Sequence, residues 1–195
     1  MINWGLKYYN ACGILNIDWG CVMIKVYDDG SVYVGEMKDG QRCGKGSYYI
    51  LSDFFAGSKT SGNWENDKLN GWSQISTVTS CLSGAYKDGV KNGLFLRDHK
   101  DGRRYAITYK DDINMSDEMY SNGHNSQSGY LGCVGIGENT YFIGDVYSNE
   151  PFGYGVIYVA NENKKIINKY FCEMYGRRLV QSIDISEMGQ ECRLI

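Results

Sequence analysis

Four times along this chain a glycine is followed nine residues later by another: Gly35 to Gly44, Gly62 to Gly71, Gly84 to Gly93 and Gly144 to Gly153. A fixed spacing that recurs means one supersecondary unit used repeatedly, which restricts the architecture more than any single residue does. Neighbouring positions match as well. Tyr33, Thr60, Leu82 and Phe142 stand two residues before the first glycine, and Met37, Trp64, Tyr86 and Val146 stand two after it. Asp39, Asn66, Asp88 and Ser148 stand four after it, and these are residue types that turn a chain.

The unit reads as a β-hairpin. Strand residues alternate faces, so Tyr33, Gly35 and Met37 share one face while Val34 and Glu36 share the other. The same phase groups Gly62 with Trp64, and Leu82 with Gly84 and Tyr86, leaving Asn63, Glu65, Ser83 and Lys87 opposite. One face is therefore apolar with a gap in it, and the other is mostly wet. A strand glycine makes room for a bulky neighbour lying over bare backbone. The turns Lys38-Asp39-Gly40-Gln41 and Lys87-Asp88-Gly89-Val90 carry the Asp-Gly signal of a tight reversal. The return strands open on Gly44-Lys45-Gly46 and Gly153-Tyr154-Gly155, where missing side chains are expected to let backbone or rings approach.

Residues 33–46, from Tyr33 through Gly35, Met37 and Asp39 to Gly44 and Gly46, resemble the MORN (membrane occupation and recognition nexus) repeat, roughly Tyr-x-Gly-x-aromatic, a turn, then Gly-x-Gly. The run from Phe142 to Gly155 is similar to it, whereas Ser73 and Phe95 replace the last glycine in the copies at Gly62 and Gly84. The copies span 33–49, 60–76, 82–98 and 142–158, and an eroded one runs over 105–116 with Ile107 in the glycine position. The resemblance implies an all-β fold: an elongated, single-sheet meander of antiparallel hairpins, in one domain over 1–195. It also implies membrane association, since some relatives are linked to phosphoinositides, and it permits a role as a bacterial immunity protein.

Between copies the spacing is that of an irregular array. Gly62 to Gly84 is twenty-two residues and Gly84 to Ile107 twenty-three, while Ser52 to Ser58 lengthens the connection between Gly35 and Gly62. Ser121 to Ser128 is a polar loop. Cys133 to Ile143 reads as a further hairpin around Glu138-Asn139, and Val22 to Val34 as another around Asp28-Asp29-Gly30. Asn161 to Lys165 turns into a strand over Ile166 to Phe171. At the end, Asp184 with Glu187 resembles a capping box, and Met188, Cys192 and Ile195 fall on one helical face, which predicts a short edge-covering helix over 184–194.

The 25 glycines against one proline suit many short strands joined by glycine turns. No apolar run approaches the roughly 18 residues of a membrane span, and Met1 to Asn10 lacks a signal-peptide pattern. Seven dispersed cysteines without a Cys-x-x-Cys are neither a disulfide framework nor a zinc set, so reduced thiols and a cytoplasmic protein are expected, with no metal and no cofactor.

Catalysis finds little to build on. His99 lies among Arg97, Asp98, Lys100 and Asp101, and His124 in the polar loop; both read as solvated rather than catalytic. No nucleophile elbow, P-loop or His-Glu-x-x-His occurs, and Gly132 to Gly137 opens no helix. With 20 Lys plus Arg against 23 Asp plus Glu, nothing attracts nucleic acid generally, and no polybasic cluster supports lipid contact. What remains is a surface. Tyr33, Trp64, Tyr86, Tyr105 and Tyr109 form an aromatic row that is either curled on itself as core or offered to a partner. The expected function is a non-enzymatic interaction or scaffold module that binds a protein or a second copy of itself. An inhibitor or immunity protein, a lipid- or carbohydrate-binding module, and a small enzyme built on loop histidines are the alternatives.

Overall fold

The computed structural model describes residues 15–19, 22–50, 57–121 and 131–186. Among them are fifteen strands and no helix. The first ten are β1 (Leu15–Trp19), β2 (Val22–Val26), β3 (Val32–Lys38), β4 (Gln41–Ile50), β5 (Ser58–Glu65), β6 (Lys68–Thr77), β7 (Ser80–Lys87), β8 (Val90–His99), β9 (Arg104–Lys110) and β10 (Ile113–Ser121). They form one antiparallel sheet in chain order. A second antiparallel meander follows: β11 (Leu131–Gly137), β12 (Thr140–Tyr147), β13 (Glu150–Ala160), β14 (Ile166–Tyr175) and β15 (Arg178–Asp184). Neither sheet closes into a barrel.

The nine-residue glycine spacing has a geometric cause. Asp39-Gly40, Asn66-Asp67, Asp88-Gly89, Asp111-Asp112 and Ser148-Asn149 all have positive φ at both positions, the two-residue turn whose twist matches that of the strands. Pairing then breaks at one place in each copy, after Gly35, Gly62, Gly84 and Gly144. Cys43, Gly44 and Lys45 face the lone Glu36 in a β-bulge. The second glycine of each pair, Gly44, Gly71, Gly93 or Gly153, sits in that bulge with φ of +54°, +97°, +94° and +123°. At Gly93 its role is conformational alone, since a Cβ there would meet nothing within 4 Å, whereas one on Gly44 would run into the Glu36 carboxylate. The nearest atoms at Gly44 and Gly153 are thus the side chains of Glu36 and Asp145, not the rings or backbone expected there.

The expected approach of rings and backbone is found at Gly46 and Gly155, and Gly35, Gly62, Gly84 and Gly144 are crowded as well. A Cβ on Gly46 would stand 2.1 Å from the Tyr33 hydroxyl, and one on Gly155 2.5 Å from Phe142 Cζ. Where the chain lacks the last glycine, the filling side chain comes from the return strand, so that Phe95 covers Gly84 and Ser73 covers Gly62. Tyr33 with Gly46, Leu82 with Phe95 and Phe142 with Gly155 are thus alternative ways to fill one space.

A polar clamp joins consecutive hairpins. The Asp67 N–H donates to the Arg42 carbonyl (3.2 Å), and Asp67 Oδ1 accepts from Arg42 N–H (2.9 Å) and Nε (3.0 Å). The guanidinium lies 4.2 Å from the centre of the Trp64 ring. Asp112 and Lys91 repeat this, with the ammonium 4.4 Å from the Tyr109 ring centre. Between the two clamps only the Gly89 N–H to Leu69 carbonyl bond (2.9 Å) recurs. Burial opposes ionisation of Asp67, but the hydrogen bonds and charge of Arg42 outweigh it and hold the carboxyl below its usual range. A depressed folded-state pKa stabilises above the unfolded pKa and is lost as pH falls through the folded one. Asp67→Asn should therefore cost up to about 1 kcal/mol at neutral pH, a surface-pair magnitude, and the gap should close below about pH 4. Urea midpoints of both proteins at pH 7 and pH 3 check this.

The single-sheet expectation is corrected by the core. The face assigned to water is dry over β2–β4: Ile24, Val26, Val32, Val34 and Tyr49 are buried together with Ile143, Val156, Tyr158, Phe171 and Ile183 of the second sheet. Tyr49 meets Phe171 edge-on at 5.3 Å. The two meanders pack through the faces opposite their repeat rings, because a one-layer sheet cannot bury both sides. The ring face of the first sheet is a second cluster of Tyr33, Trp64, Leu69, Tyr86, Phe95, Ile107 and Tyr109. Phe142, Cys172 and Met174 form a third on the second sheet.

The hairpins expected around Asp28-Asp29-Gly30 and Glu138-Asn139 are present. So are the pair β9–β10 over the eroded copy and the turn before β14. Asp184 is the last residue of β15 rather than a helix start, its carboxylate accepting the Ser186 N–H (2.9 Å). Ile185 and Ser186 are not helical either, and positions 187–194 of the expected helix, most of the Ser52–Ser58 connection and most of the Ser121–Ser128 loop lie outside the described residues.

Candidate functional site

The aromatic row does not form an open surface. Tyr33 is fully buried and Trp64, Tyr86 and Tyr109 are 6–7% exposed. Only Tyr105 is half-buried, meeting His99 edge-on at 5.5 Å. Tyr33 packs edge-on against Trp64 at 5.8 Å, and Phe95 bridges Tyr86 and Tyr109 at 5.2 Å each. Tyr33 and Phe95 fill the gaps above glycines and the other rings pack against them, so the row is core, the first of the two fates open to it. The Tyr33 hydroxyl donates to the carbonyls of Glu36 (3.0 Å) and Cys43 (3.3 Å), which ties the ring to the bulge. Burial raises the pKa of Tyr33 well above that of free tyrosine, and burial followed by the charge of Asp112 pushes Tyr86 up to about 12.

The concave site lies elsewhere, in the angle between the sheets. A cleft of about 570 Å³ is lined on one side by residues of β2–β6, including Lys45, Ser47, Tyr49, Lys59, Ser61, Asn63 and Trp72, and on the other by Asp145 and Tyr154. Asp145 organises it. The Lys59 ammonium lies 2.6 Å from Oδ1, and Oδ2 accepts from the Tyr49 hydroxyl (3.2 Å) and the Tyr154 N–H (3.3 Å). Two side chains of the large sheet and a main-chain N–H of the small one therefore converge on one carboxylate. Burial, followed by the Asp145 carboxylate, raises the Tyr49 pKa well above the ordinary value. Burial and the charge of Glu173 push Tyr154 up to about 12, so both phenols are neutral donors at physiological pH. Ser47 and Ser61 share a hydrogen bond of 2.8 Å between their hydroxyls.

Trp72 is the feature the repeat reading overlooked. It is 60% exposed at the cleft, pairs with Ala85 across β6–β7, and Leu94 on β8 is 59% exposed. Alternation along β6, which the three-against-one bulge before Ser73 leaves in phase, puts Trp72 on the face opposite Trp64. A second exposed group sits by the turns of the other sheet, where Phe152 contacts Tyr147 (6.0 Å) and Tyr175 (5.0 Å).

Other chemistry is not assembled around these features. His99 ends β8, and among the described residues no hydrogen bond joins its ring to a carboxylate; His124 lies outside them. No group of three or more His, Cys, Asp or Glu among the described residues is placed to hold a metal ion, and no helix there is long and apolar enough to cross a membrane. No family model matches this chain, and no curated protein matches it.

Proposed function

We propose that the chain is a non-enzymatic protein-interaction module of MORN-like hairpin repeats that takes an extended segment of a partner protein into the cleft between its sheets. The observation that carries this is the exposure of Trp72 beside that cleft, while the rings of the repeat pattern are buried. A rigid indole is an effective interface anchor, because it buries a large area with few rotors to freeze. Its surroundings favour a polypeptide over a sugar: the indole continues into Ala85 and Leu94, an apolar shelf for side chains, while Ser47, Ser61 and Asn63 offer hydrogen bonds to a backbone. An inhibitor of another protein is one form of this activity. The unpaired thiols of Cys43, Cys81, Cys133 and Cys172 support a reducing, cytoplasmic setting.

A displayed peptide library and a glycan array, each probed with the protein and with Trp72→Ala, test the reading. Peptides should be enriched and glycans should not. Trp72→Ala should keep the melting midpoint and weaken the selected peptides about thirtyfold, the effect of losing an anchor worth about 2 kcal/mol. Retention of glycans alone, or peptide binding indifferent to Trp72, refutes it.

A further inference from the structure

One side of the last strand of the large sheet meets no other strand among the described residues. Among the described residues β10 pairs with β9 alone, so its outer backbone groups form a template for a further strand. Its side chains are exposed on both faces: Ile113, Met115 and Met119 are 66%, 61% and 52% exposed. Asp117 and Glu118 are exposed as well and, pairing with Ile107 and Ala106, point to opposite faces. Neither has an ion-pair partner among the described residues. Of the cations on β8 and β9, Arg104 pairs with Asp98 (3.5 Å) and Lys91 with Asp112 (3.7 Å). Bulges after Asn114 and Met119 bracket the strand and confine regular pairing to Ser116–Met119.

We propose that β10 takes a basic extended segment of a partner protein by strand addition, with two consecutive cationic residues opposite Asp117 and Glu118 and apolar residues on either side. Charge selects the occupant. A second copy pairing antiparallel about the middle of β10 would set Asp117 and Glu118 of the two chains against each other, which like charges in a ladder oppose. A segment with adjacent lysines meets one carboxylate on each face, while its backbone completes the ladder and its flanking side chains cover the methionines. The edge lies four strands from Trp72, roughly 19 Å at the usual strand spacing, so a segment here and one in the cleft can be held together, as a scaffold requires.

The test uses capped synthetic hexapeptides titrated into the whole protein, with hydrogen exchange as a second readout. Thr-Val-Lys-Lys-Val-Thr should bind and slow exchange at residues 113–121, and should weaken several-fold as salt is raised from about 0.05 to 0.5 M, where charges are screened. Replacing its second valine by proline keeps the charge but removes a backbone donor, and should cost tenfold or more. Thr-Val-Glu-Glu-Val-Thr should not bind the native protein, but should be preferred by the doubly substituted Asp117→Lys, Glu118→Lys protein, whose exposed changes leave the circular dichroism spectrum intact. Trp72→Ala should leave all of this unaltered, which keeps the result independent of the cleft. Equal binding of the lysine and proline peptides, unchanged preference after charge reversal, protection without peptide of the 113–121 amides that point away from β9, or dimerisation through this edge overturns the proposal.

Discussion

Gly46→Phe should destabilise the protein by about 3 kcal/mol, and adding Tyr33→Leu should recover part of that loss rather than deepen it. Every atom nearest to a Cβ at Gly46 belongs to the Tyr33 ring, so a second ring cannot enter while the first is there. The third hairpin shows the alternative, with Leu82 in the tyrosine position and Phe95 directly opposite Gly84. The double variant copies that arrangement into the first hairpin. Alone, Tyr33→Leu should cost about 2 kcal/mol for the emptied space and the two hydroxyl bonds. Additive effects would then total about 5 kcal/mol, whereas a shared space predicts a total near 2, a coupling at the upper end for residues in contact. Urea denaturation of the four proteins decides it: additivity would mean that the two side chains do not compete for one volume.

That exchange also shows why hairpins were readable from sequence while the layers were not. Turn residues and glycine spacings act within about fifteen positions, and Asp39-Gly40 or Asp88-Gly89 impose their reversal whatever lies beyond. Period two carries Trp64 to the ring face, and the three residues set against one between Leu69 and Ser73 keep the alternation in phase, so Trp72 falls on the opposite side. That side is expected to be wet, and nothing in the local pattern distinguishes an indole placed there from a stray exposed hydrophobic residue. The second layer was hidden for a different reason. Val32 and Val34 look like one side of a half-wet strand until Phe171 and Ile183, more than a hundred residues later, are seen against them. Asp145 and Lys59 are likewise unremarkable in sequence and meet only because the sheets pack. The cleft is tertiary in origin, so a repeat pattern could not announce it.

Phe171→Ala should cost about 3–5 kcal/mol, whereas Phe152→Ala, one bulge away on the neighbouring strand, should stay within about 0.5. Phe171 is 1% exposed, set edge-on to Tyr49 of the large sheet and stacked at 6.0 Å on Tyr154 of its own. Phe152 is 55% exposed. If the sheets were stable separately, removing Phe171 would loosen only the smaller one, and melting would split into two transitions with the larger sheet's midpoint unmoved. Face-to-face packing demands instead that both sheets lose stability together, so tryptophan fluorescence, three of whose four emitters (Trp19, Trp64 and Trp72) lie in the large sheet, should shift in step with circular dichroism. The same substitution withdraws support from Tyr154 and thereby from one wall of the cleft. Selected peptides should then lose affinity in a protein kept folded at low temperature, although Phe171 itself is too deeply buried to touch them.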